Sequence, residues 1–199
     1  MTQIEFYYDF GSPNVYFVDK VLPSIADRHS AQIVYRPMLL GGVFKATNNQ
    51  PPMMAFSGVT HKLDYMRVEI ARFIRRHGLA FTFNPHFPVM TIATMRGAIV
   101  AQGQPWEARY IATVMEAMWM HGKKMDDLEV MAEVLTDAGL PTAEILEAIQ
   151  TPDVKAKLAT LTADAVDRKV FGAPTLFVGD EMFFGKDALD DLDWYLGAG

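Results

Sequence analysis

The chain has 199 residues, half of them hydrophobic, which is enough to bury the core of one or two domains. Its formal net charge of −6 at pH 7 argues against a surface built for nucleic acid or an anionic membrane. The sequence contains no cysteine, which excludes disulfides, thiolate metal sites and a cysteine nucleophile, so any sulfur chemistry has to come from a ligand.

Further absences narrow the class of protein. No apolar run of about 18 residues could span a bilayer, and the N-terminus lacks the basic and apolar regions of a signal peptide, so we expect a cytoplasmic protein. The histidines fall in no HExxH or other short-spaced ligand pattern, so we predict no metal site. Neither nucleic acid nor a membrane is expected as a partner.

The first 37 residues have the pattern of a strand, a helix and a second strand. A strand over Ile4–Tyr8 is followed by apolar residues at helical spacing to about His29, and Gln32–Arg36 forms a second strand that Pro37 ends. Parallel strands need a crossover, which is usually helical, so we predict a βαβ unit.

The segment Asp9-Phe10-Gly11-Ser12-Pro13 joins the first strand to the helix. Ser12 occupies the predicted N-cap, where its hydroxyl can accept from a free backbone N–H, and Pro13 suits the first helical position. This positive end of the helix dipole also suits an anion such as a thiolate or a carboxylate. On local sequence alone a plain helix start is the commoner outcome, and anion binding is the alternative.

Residues 39–54 contain paired glycines, asparagines and prolines and no periodicity, so we predict a long loop. Loops of this length in a compact domain often carry function. Lys45 is the one cation in the loop and follows the glycine pair. It is a candidate contact for an anion, and the alternative is a solvated surface charge.

From residue 61 to about residue 161 the pattern is helical, with a proline-rich break over Phe81–Val89. After a first helix that ends at Gly78, further helices are predicted at Met90–Gln102, Pro105–Met120, Asp126–Asp137, Thr142–Ile149 and Pro152–Lys169. Thr142 is the predicted N-cap of its helix.

The C-terminal part returns to a β pattern. Thr175–Val178 and Glu181–Phe184 form a predicted hairpin, and a last helix follows over Asp187–Leu196. This order predicts the α/β class, with a thioredoxin-like (βαβ…ββα) domain and a large all-helical insertion. Residues 1–45 and 165–199 are the predicted thioredoxin-like domain, and residues 46–164 are the predicted helical insertion domain.

Gly172-Ala173-Pro174-Thr175 stands at the entrance to the hairpin. An X-Pro bond can be cis, and the sequence leaves cis and trans open. In a thioredoxin-like fold, a cis-proline loop faces the start of the first helix and presents backbone groups to a peptide-like thiol ligand, so we expect this loop to face Ser12. The alternative is an ordinary proline that begins a strand.

Taken together, these motifs resemble the 2-hydroxychromene-2-carboxylate isomerase family, which is related to kappa-class glutathione transferases and DsbA-like proteins. The resemblance covers nearly the whole chain. The motifs that carry it are Phe6 to Pro13 with Tyr16, Lys62-Leu63-Asp64-Tyr65 with Arg72, Lys169 to Thr175, and Gly179 to Asp187.

The resemblance implies a glutathione-dependent isomerase of aromatic degradation, such as the naphthalene route. Its implied reaction interconverts 2-hydroxychromene-2-carboxylate and trans-o-hydroxybenzylidenepyruvate by reversible thiolate addition, ring opening, rotation about a former double bond and expulsion of glutathione. Glutathione is the implied cofactor, a small aromatic carboxylate the implied substrate, and a homodimer the implied assembly.

The resemblance also implies roles for individual residues. Ser12 is implied to hydrogen-bond the glutathione sulfur and to favour its thiolate, while Asp187 receives the α-amino group of the γ-glutamyl end. The residues implied to hold glutathione are Ser12, Ala173, Pro174, Phe184, Gly185, Lys186 and Asp187. The residues implied to contact the substrate are Lys45, Asn49 and Phe87.

Three positions depart from the family pattern. Lys186 stands where asparagine is expected, so a cation would bind the γ-glutamyl carboxylate; Phe87 replaces a tyrosine, and Glu69 replaces an aspartate. Two alternative functions stay open. One is a kappa-like glutathione transferase that adds the same thiolate to an electrophile, and the other is a redox-silent thioredoxin-like module that binds peptides.

Overall fold

The computed structural model describes residues 1–198 of the chain. One mixed sheet is built from strands β1 (Gln3–Tyr8), β2 (Gln32–Pro37), β3 (Thr175–Val178) and β4 (Glu181–Phe184), in the order β2-β1-β3-β4. β1 is parallel to β2 and antiparallel to β3, and β3 is antiparallel to β4. The predicted βαβ unit and hairpin are confirmed.

Helices make up most of the rest of residues 1–198. They are α1 (Pro13–Arg28), α2 (Leu40–Thr47), α3 (Pro52–Ala55), α4 (Lys62–His77), α5 (Ile92–Ala101), α6 (Glu107–Trp119), α7 (Leu128–Asp137), α8 (Thr142–Ala148), α9 (Pro152–Asp167) and α10 (Leu189–Ala198), with a 3-10 turn at Lys186–Ala188 before α10. None of the helices in this part of the chain has both the length and the apolar character needed to cross a membrane. The predicted thioredoxin-like fold with a helical insertion is confirmed.

The loop predicted over residues 39–54 is wrong, because the segment contains α2 and α3. Its glycine pair lies in the first turn of α2 and does not form a chain reversal. A Cβ atom at Gly42 would lie 2.9 Å from Cγ2 of Thr162, so glycine allows α2 to pack closely on α9. This packing outweighs the weak helix propensity of glycine, which was one part of the basis of the prediction, together with the paired asparagines and prolines and the lack of periodicity.

Thr142 is the first helical residue of α8, and Pro141 occupies the N-cap position that was predicted for Thr142. The hydroxyl of Thr142 donates to the carbonyl oxygen of Leu140 and accepts from the hydroxyl of Thr136. It points back along the chain and is not available to the N–H groups of α8. The N-cap prediction is therefore wrong by one residue.

One core cluster connects the sheet with the helical middle of the chain. Phe6 of β1, Val15 of α1, and Val114 and Trp119 of α6 all belong to it and are fully buried. The predicted domain boundaries, at 45/46 and 164/165, fall inside α2 and α9. These helices therefore continue from one predicted domain into the other, and the division into two domains stays a prediction.

Trp119 joins α6 to the turn that follows β1. Its indole Nε1 donates to the carbonyl oxygen of Phe10 at 2.8 Å, and its ring stacks on Phe81 with the ring centres 6.1 Å apart. Both Trp119 and Phe10 are fully buried. The indole is therefore a buried polar link between the helical middle and the first strand.

We expect Trp119→Phe to lower the free energy of unfolding by about 1–3 kcal/mol or more, because the Phe10 carbonyl loses its donor in a buried site and the core loses volume. Urea-induced unfolding measures this change. Trp194→Phe is the matched control, since the Trp194 side chain is 73% exposed and its replacement should shift stability by less than about 0.5 kcal/mol. Equal losses in the two variants would contradict the role of Trp119.

Candidate active site

Ser12 lies at the N-cap position of α1, as predicted, and is buried. Its backbone is extended, and its carbonyl oxygen accepts from the N–H of Val15 at 3.1 Å. The hydroxyl makes no capping bond and instead donates to the carbonyl oxygen of Ala173 at 3.3 Å. The predicted capping contact is therefore wrong, because the opposite loop offers an acceptor to the same hydroxyl.

The Ala173–Pro174 bond is cis, and its loop faces Ser12. Ala173 is partly exposed. Within residues 1–198 its N–H donates no hydrogen bond, and its carbonyl accepts only from the Ser12 hydroxyl. The loop thus presents one backbone donor and one backbone acceptor beside Ser12, which is what a peptide-like ligand needs.

The residues that follow β4 adjoin this loop. The N–H of Gly185 donates to the carbonyl oxygen of Pro174 at 3.0 Å, and Gly185 has a φ of +85°, which favours glycine. The ring of Phe184 packs on Phe171 with the centres 4.5 Å apart. A Cβ at Gly172 would lie 2.9 Å from the Phe184 ring, so this close approach depends on glycine.

Lys186 is buried in a group of charged and aromatic side chains and is only 3% exposed. Its Nζ donates to Oδ1 of Asp187 at 2.5 Å, lies 3.9 Å from Oε2 of Glu69, and sits 5.4 Å from the ring centre of Phe73. Two positions that depart from the family pattern, 186 and 69, therefore meet in space. An ammonium beside two carboxylates complements the carboxylate and amino group of an amino-acid end.

Lys45 and Asn49 lie about one turn apart, near the end of α2. Lys45 is exposed, and no carboxylate of the described chain forms an ion pair with it. The amide nitrogen of Asn49 donates to the carbonyl oxygen of Phe171 at 2.8 Å. This bond ties the end of α2 to the cis-proline loop and uses one of the two hydrogens of the amide.

Phe87 lies in the segment before α5, and the Phe87–Pro88 bond is also cis. Asn84, which is 1% exposed, holds this segment through hydrogen bonds to backbone atoms of Met118, Lys123 and His86. The ring of Phe87 lies 6.1 Å from Trp119, whose indole binds the Phe10 carbonyl. Phe87 is therefore connected to the Ser12 turn through Trp119. Asn84 itself was missed by sequence reasoning.

Tyr16 of α1 holds the start of the segment that carries Phe87. Its hydroxyl donates to the carbonyl oxygen of Ala80 at 2.5 Å. Burial raises the pKa of Tyr16 to about 12, and the carboxylates of Glu116 and Asp19 add to this rise. The phenol therefore stays protonated near neutral pH and acts as a structural donor.

Asp9 is a second residue whose role was missed. Its carboxylate is 1% exposed; Oδ1 accepts from the N–H of Gly11 at 2.9 Å and the hydroxyl of Thr91 at 2.6 Å, and Oδ2 accepts from the N–H of Leu40 at 2.8 Å. Burial raises the pKa of Asp9, and the three hydrogen bonds oppose that rise. The sequence feature that could have indicated this role is an acidic residue placed directly after an apolar strand.

The predicted site residues thus fall into two groups. Ser12, the cis-proline loop and residues 184–187 form one connected surface. Asn49 is connected to this surface by its hydrogen bond to Phe171. Lys45 and Phe87 lie on adjoining elements, and their connections are indirect: Lys45 is joined through α2, and Phe87 through Trp119. The residues implied for glutathione are brought together more closely than those implied for the substrate.

A thioredoxin-like sheet whose cis-proline loop faces the first helix, interrupted by a helical block, defines a DsbA-like protein. The sequence model described as "DSBA-like thioredoxin domain" matches residues 3–197, and the chain therefore belongs to this family. The resemblance to the 2-hydroxychromene-2-carboxylate isomerase family is confirmed by similarity to several members of that family.

The relatives match along the full length. The chain is 30% identical to 2-hydroxychromene-2-carboxylate isomerase of Pseudomonas putida over 196 residues, which cover 98% of this chain and 94% of that protein. It is 29% identical to glutathione S-transferase kappa 1 of Rattus norvegicus over 211 aligned positions, covering 98% and 90%. A solved structure of 2-hydroxychromene-2-carboxylate isomerase matches with a TM-score of 0.86 at 28% identity, covering 98% and 95%. The homodimer and the cytoplasmic location stay predictions.

Proposed function

We propose that this protein is a glutathione-dependent isomerase that interconverts 2-hydroxychromene-2-carboxylate and trans-o-hydroxybenzylidenepyruvate in aromatic degradation. The contact between the Ser12 hydroxyl and the Ala173 carbonyl carries the proposal. It puts a hydroxyl donor beside the cis-proline loop at the start of α1, in a chain that has no thiol of its own. The full-length similarity to named isomerases supports the reaction class.

The arrangement of the site residues supports glutathione as the ligand. The free N–H and the carbonyl of Ala173 would pair with its peptide part. Lys186 would meet the α-carboxylate of the γ-glutamyl end, and Asp187 its α-amino group, since ammonium and carboxylate already lie within 2.5 Å of each other there. The Ser12 hydroxyl would turn from Ala173 to the sulfur.

Bound glutathione would supply a thiolate that adds reversibly to the unsaturated substrate and is released unchanged. Lowering the pKa of a thiol from about 8.5 by one to two units requires about 1.4–2.7 kcal/mol of preferential stabilisation of the anion. A charge-assisted hydrogen bond from Ser12 contributes about 1.5–3 kcal/mol, and the start of α1 about 0.3–2 kcal/mol. Together these two interactions are sufficient.

On the substrate side, Lys45 would bind the carboxylate, with Asn49 near it. Lys45 suits this role because it is exposed and no acid of residues 1–198 is paired with it. Phe87 would contact the aromatic ring, since it belongs to a cluster with Phe83 and Trp119. The loop that carries Phe87 is fixed by the buried Asn84.

The direct test is to incubate the protein with glutathione and 2-hydroxychromene-2-carboxylate and to follow the ultraviolet spectrum and the free thiol. Isomer formation with no loss of glutathione is expected. The similarity to kappa transferases favours a second candidate, conjugation of glutathione to an electrophile, which would consume the thiol without forming the isomer. Absence of glutathione binding in calorimetry would favour a peptide-binding module instead.

We expect Ser12→Ala to raise the pKa of bound glutathione by about one to two units and to reduce turnover at pH 7 about 10-fold or more, because the thiolate loses its hydrogen-bond donor. Stability should fall by no more than about 1.5 kcal/mol. The ultraviolet absorbance of the bound thiolate against pH measures the pKa. Ser24→Ala is the control on the same helix, since that hydroxyl bonds only Val21. An unchanged pKa would reduce Ser12 to a helix-start residue.

We expect Lys186→Met to weaken glutathione binding about 10- to 100-fold, because one charge-assisted hydrogen bond to the γ-glutamyl carboxylate is lost. Stability should change little, because the methionine side chain can occupy the space beside Phe73 and the carboxylates of Asp187 and Glu69, which are 65% and 35% exposed, stay hydrated without the ammonium. Calorimetric titration measures the affinity. Lys157→Met removes an exposed cation elsewhere and should leave binding unchanged. Wild-type affinity in Lys186→Met would contradict the assigned γ-glutamyl site.

We expect Lys45→Met to raise the KM for the chromene carboxylate about 10- to 100-fold, because its carboxylate loses its cation, while the Kd for glutathione stays at the wild-type value. Steady-state kinetics at saturating glutathione, together with calorimetry, separate the two effects. Lys157→Met again serves as the control. A rise of the same size in the KM for the chromene carboxylate and in the Kd for glutathione would contradict the assignment of Lys45 to the substrate side of the site.

A further inference from the structure

The buried carboxylate of Asp9 joins three segments that carry or border the proposed site. Through Gly11 it holds the turn that leads to Ser12; through Leu40 it holds the first residue of α2, the helix that carries Lys45; and through Thr91 it holds the start of α5. We propose that Asp9 is a positioning residue, which fixes the thiol-binding turn and the substrate-binding helix relative to each other. This inference rests on the proposed function.

The close packing around Asp9 supports a positioning role. A Cβ atom at Gly11 would lie 3.3 Å from Cγ2 of Thr91 and 3.4 Å from Oδ1 of Asp9, so the turn, the carboxylate and α5 touch without spare room. The start of α2 is held at a second point, because the N–H of Leu39 donates to the hydroxyl of Thr162. A shift of the Asp9 carboxylate would therefore change the position of the Ser12 turn relative to α2.

The chemistry of the contacts requires a carboxylate. All three neighbours donate to Asp9, and an ionised carboxylate has only acceptor sites to offer them. An asparagine has one oxygen, and its NH₂ group would face one of the donors. The hydroxyl of Thr91 makes no capping bond to α5 and instead donates its hydrogen to Asp9.

The test compares Asp9→Asn and Thr91→Val with Thr94→Val. Asp9→Asn places a donor against a donor, and Thr91→Val removes one donor without a change of shape. We expect kcat to fall about 100-fold in Asp9→Asn and about 10-fold in Thr91→Val, since small misplacements of reacting groups have effects of this size. The Kd for glutathione should change much less than kcat, because Ser12 is the only residue assigned to glutathione that lies on the turn held by Asp9, and the others lie at 173–174 and 184–187.

Thr94→Val is the matched control, since Thr94 is also buried and its hydroxyl donates to the carbonyl oxygen of Thr91 without touching Asp9. It should keep the wild-type kcat. Wild-type kcat in Thr91→Val overturns the proposal, and so does a loss of glutathione affinity as large as the loss of kcat, which marks a general structural defect. Thr91→Val carries the test if Asp9→Asn does not fold.

An activity-independent measurement separates this proposal from the proposed function. Amide hydrogen exchange followed by NMR should show faster exchange at Gly11 and Leu40 in Thr91→Val, and faster still in Asp9→Asn, than in the wild type. A wild-type protein that binds glutathione but does not isomerise the chromene overturns the proposed function alone. Unchanged exchange at Leu40 in both variants overturns the role of Asp9.

Discussion

The hydrogen bonds to the Asp9 carboxylate are the constraint around which the rest of the site is arranged. A buried carboxylate is costly unless donors surround it, and here each donor comes from a different segment. The bond from Leu40 also satisfies a backbone N–H at the start of α2 and joins this helix to the end of β1. The turn that carries Ser12 and the helix that carries Lys45 are thereby linked through one side chain.

The sheet topology explains how distant residues reach this assembly. β1 runs antiparallel to β3, and Tyr7 pairs with Thr175, so the end of β1 and the beginning of β3 share one edge of the sheet. Phe184, at the end of β4, pairs with the same Thr175. The Ser12 turn, the cis-proline loop and the Gly185 segment are therefore neighbours because of strand order, although Ser12 and Ala173 are 161 residues apart in sequence and Gly185 lies further still.

Local patterns were sufficient to predict the strands, α1 and the hairpin, because each has a clear period or a strong boundary residue such as Pro13. They failed for α2, where the propensity of two glycines was outweighed by packing on α9. The two motifs that contain Ser12 and Pro174 marked segments that the structure brings into contact. The contacts of Asp9 with Thr91, Asn84 with Met118 and Lys186 with Glu69 join residues far apart in sequence, and no spacing rule reports such pairs.

The shared core has a consequence for motion. Since Phe6, Val15 and Trp119 belong to one buried cluster, the sheet and the helical block cannot separate or close on each other without opening that cluster. A change of shape that leaves this cluster intact is therefore confined to elements outside it. The segment from α3 to α4 is suited to this, because neither helix contributes a fully buried residue. A rearrangement of this segment would therefore disrupt less buried packing than any movement of the sheet against the helical block.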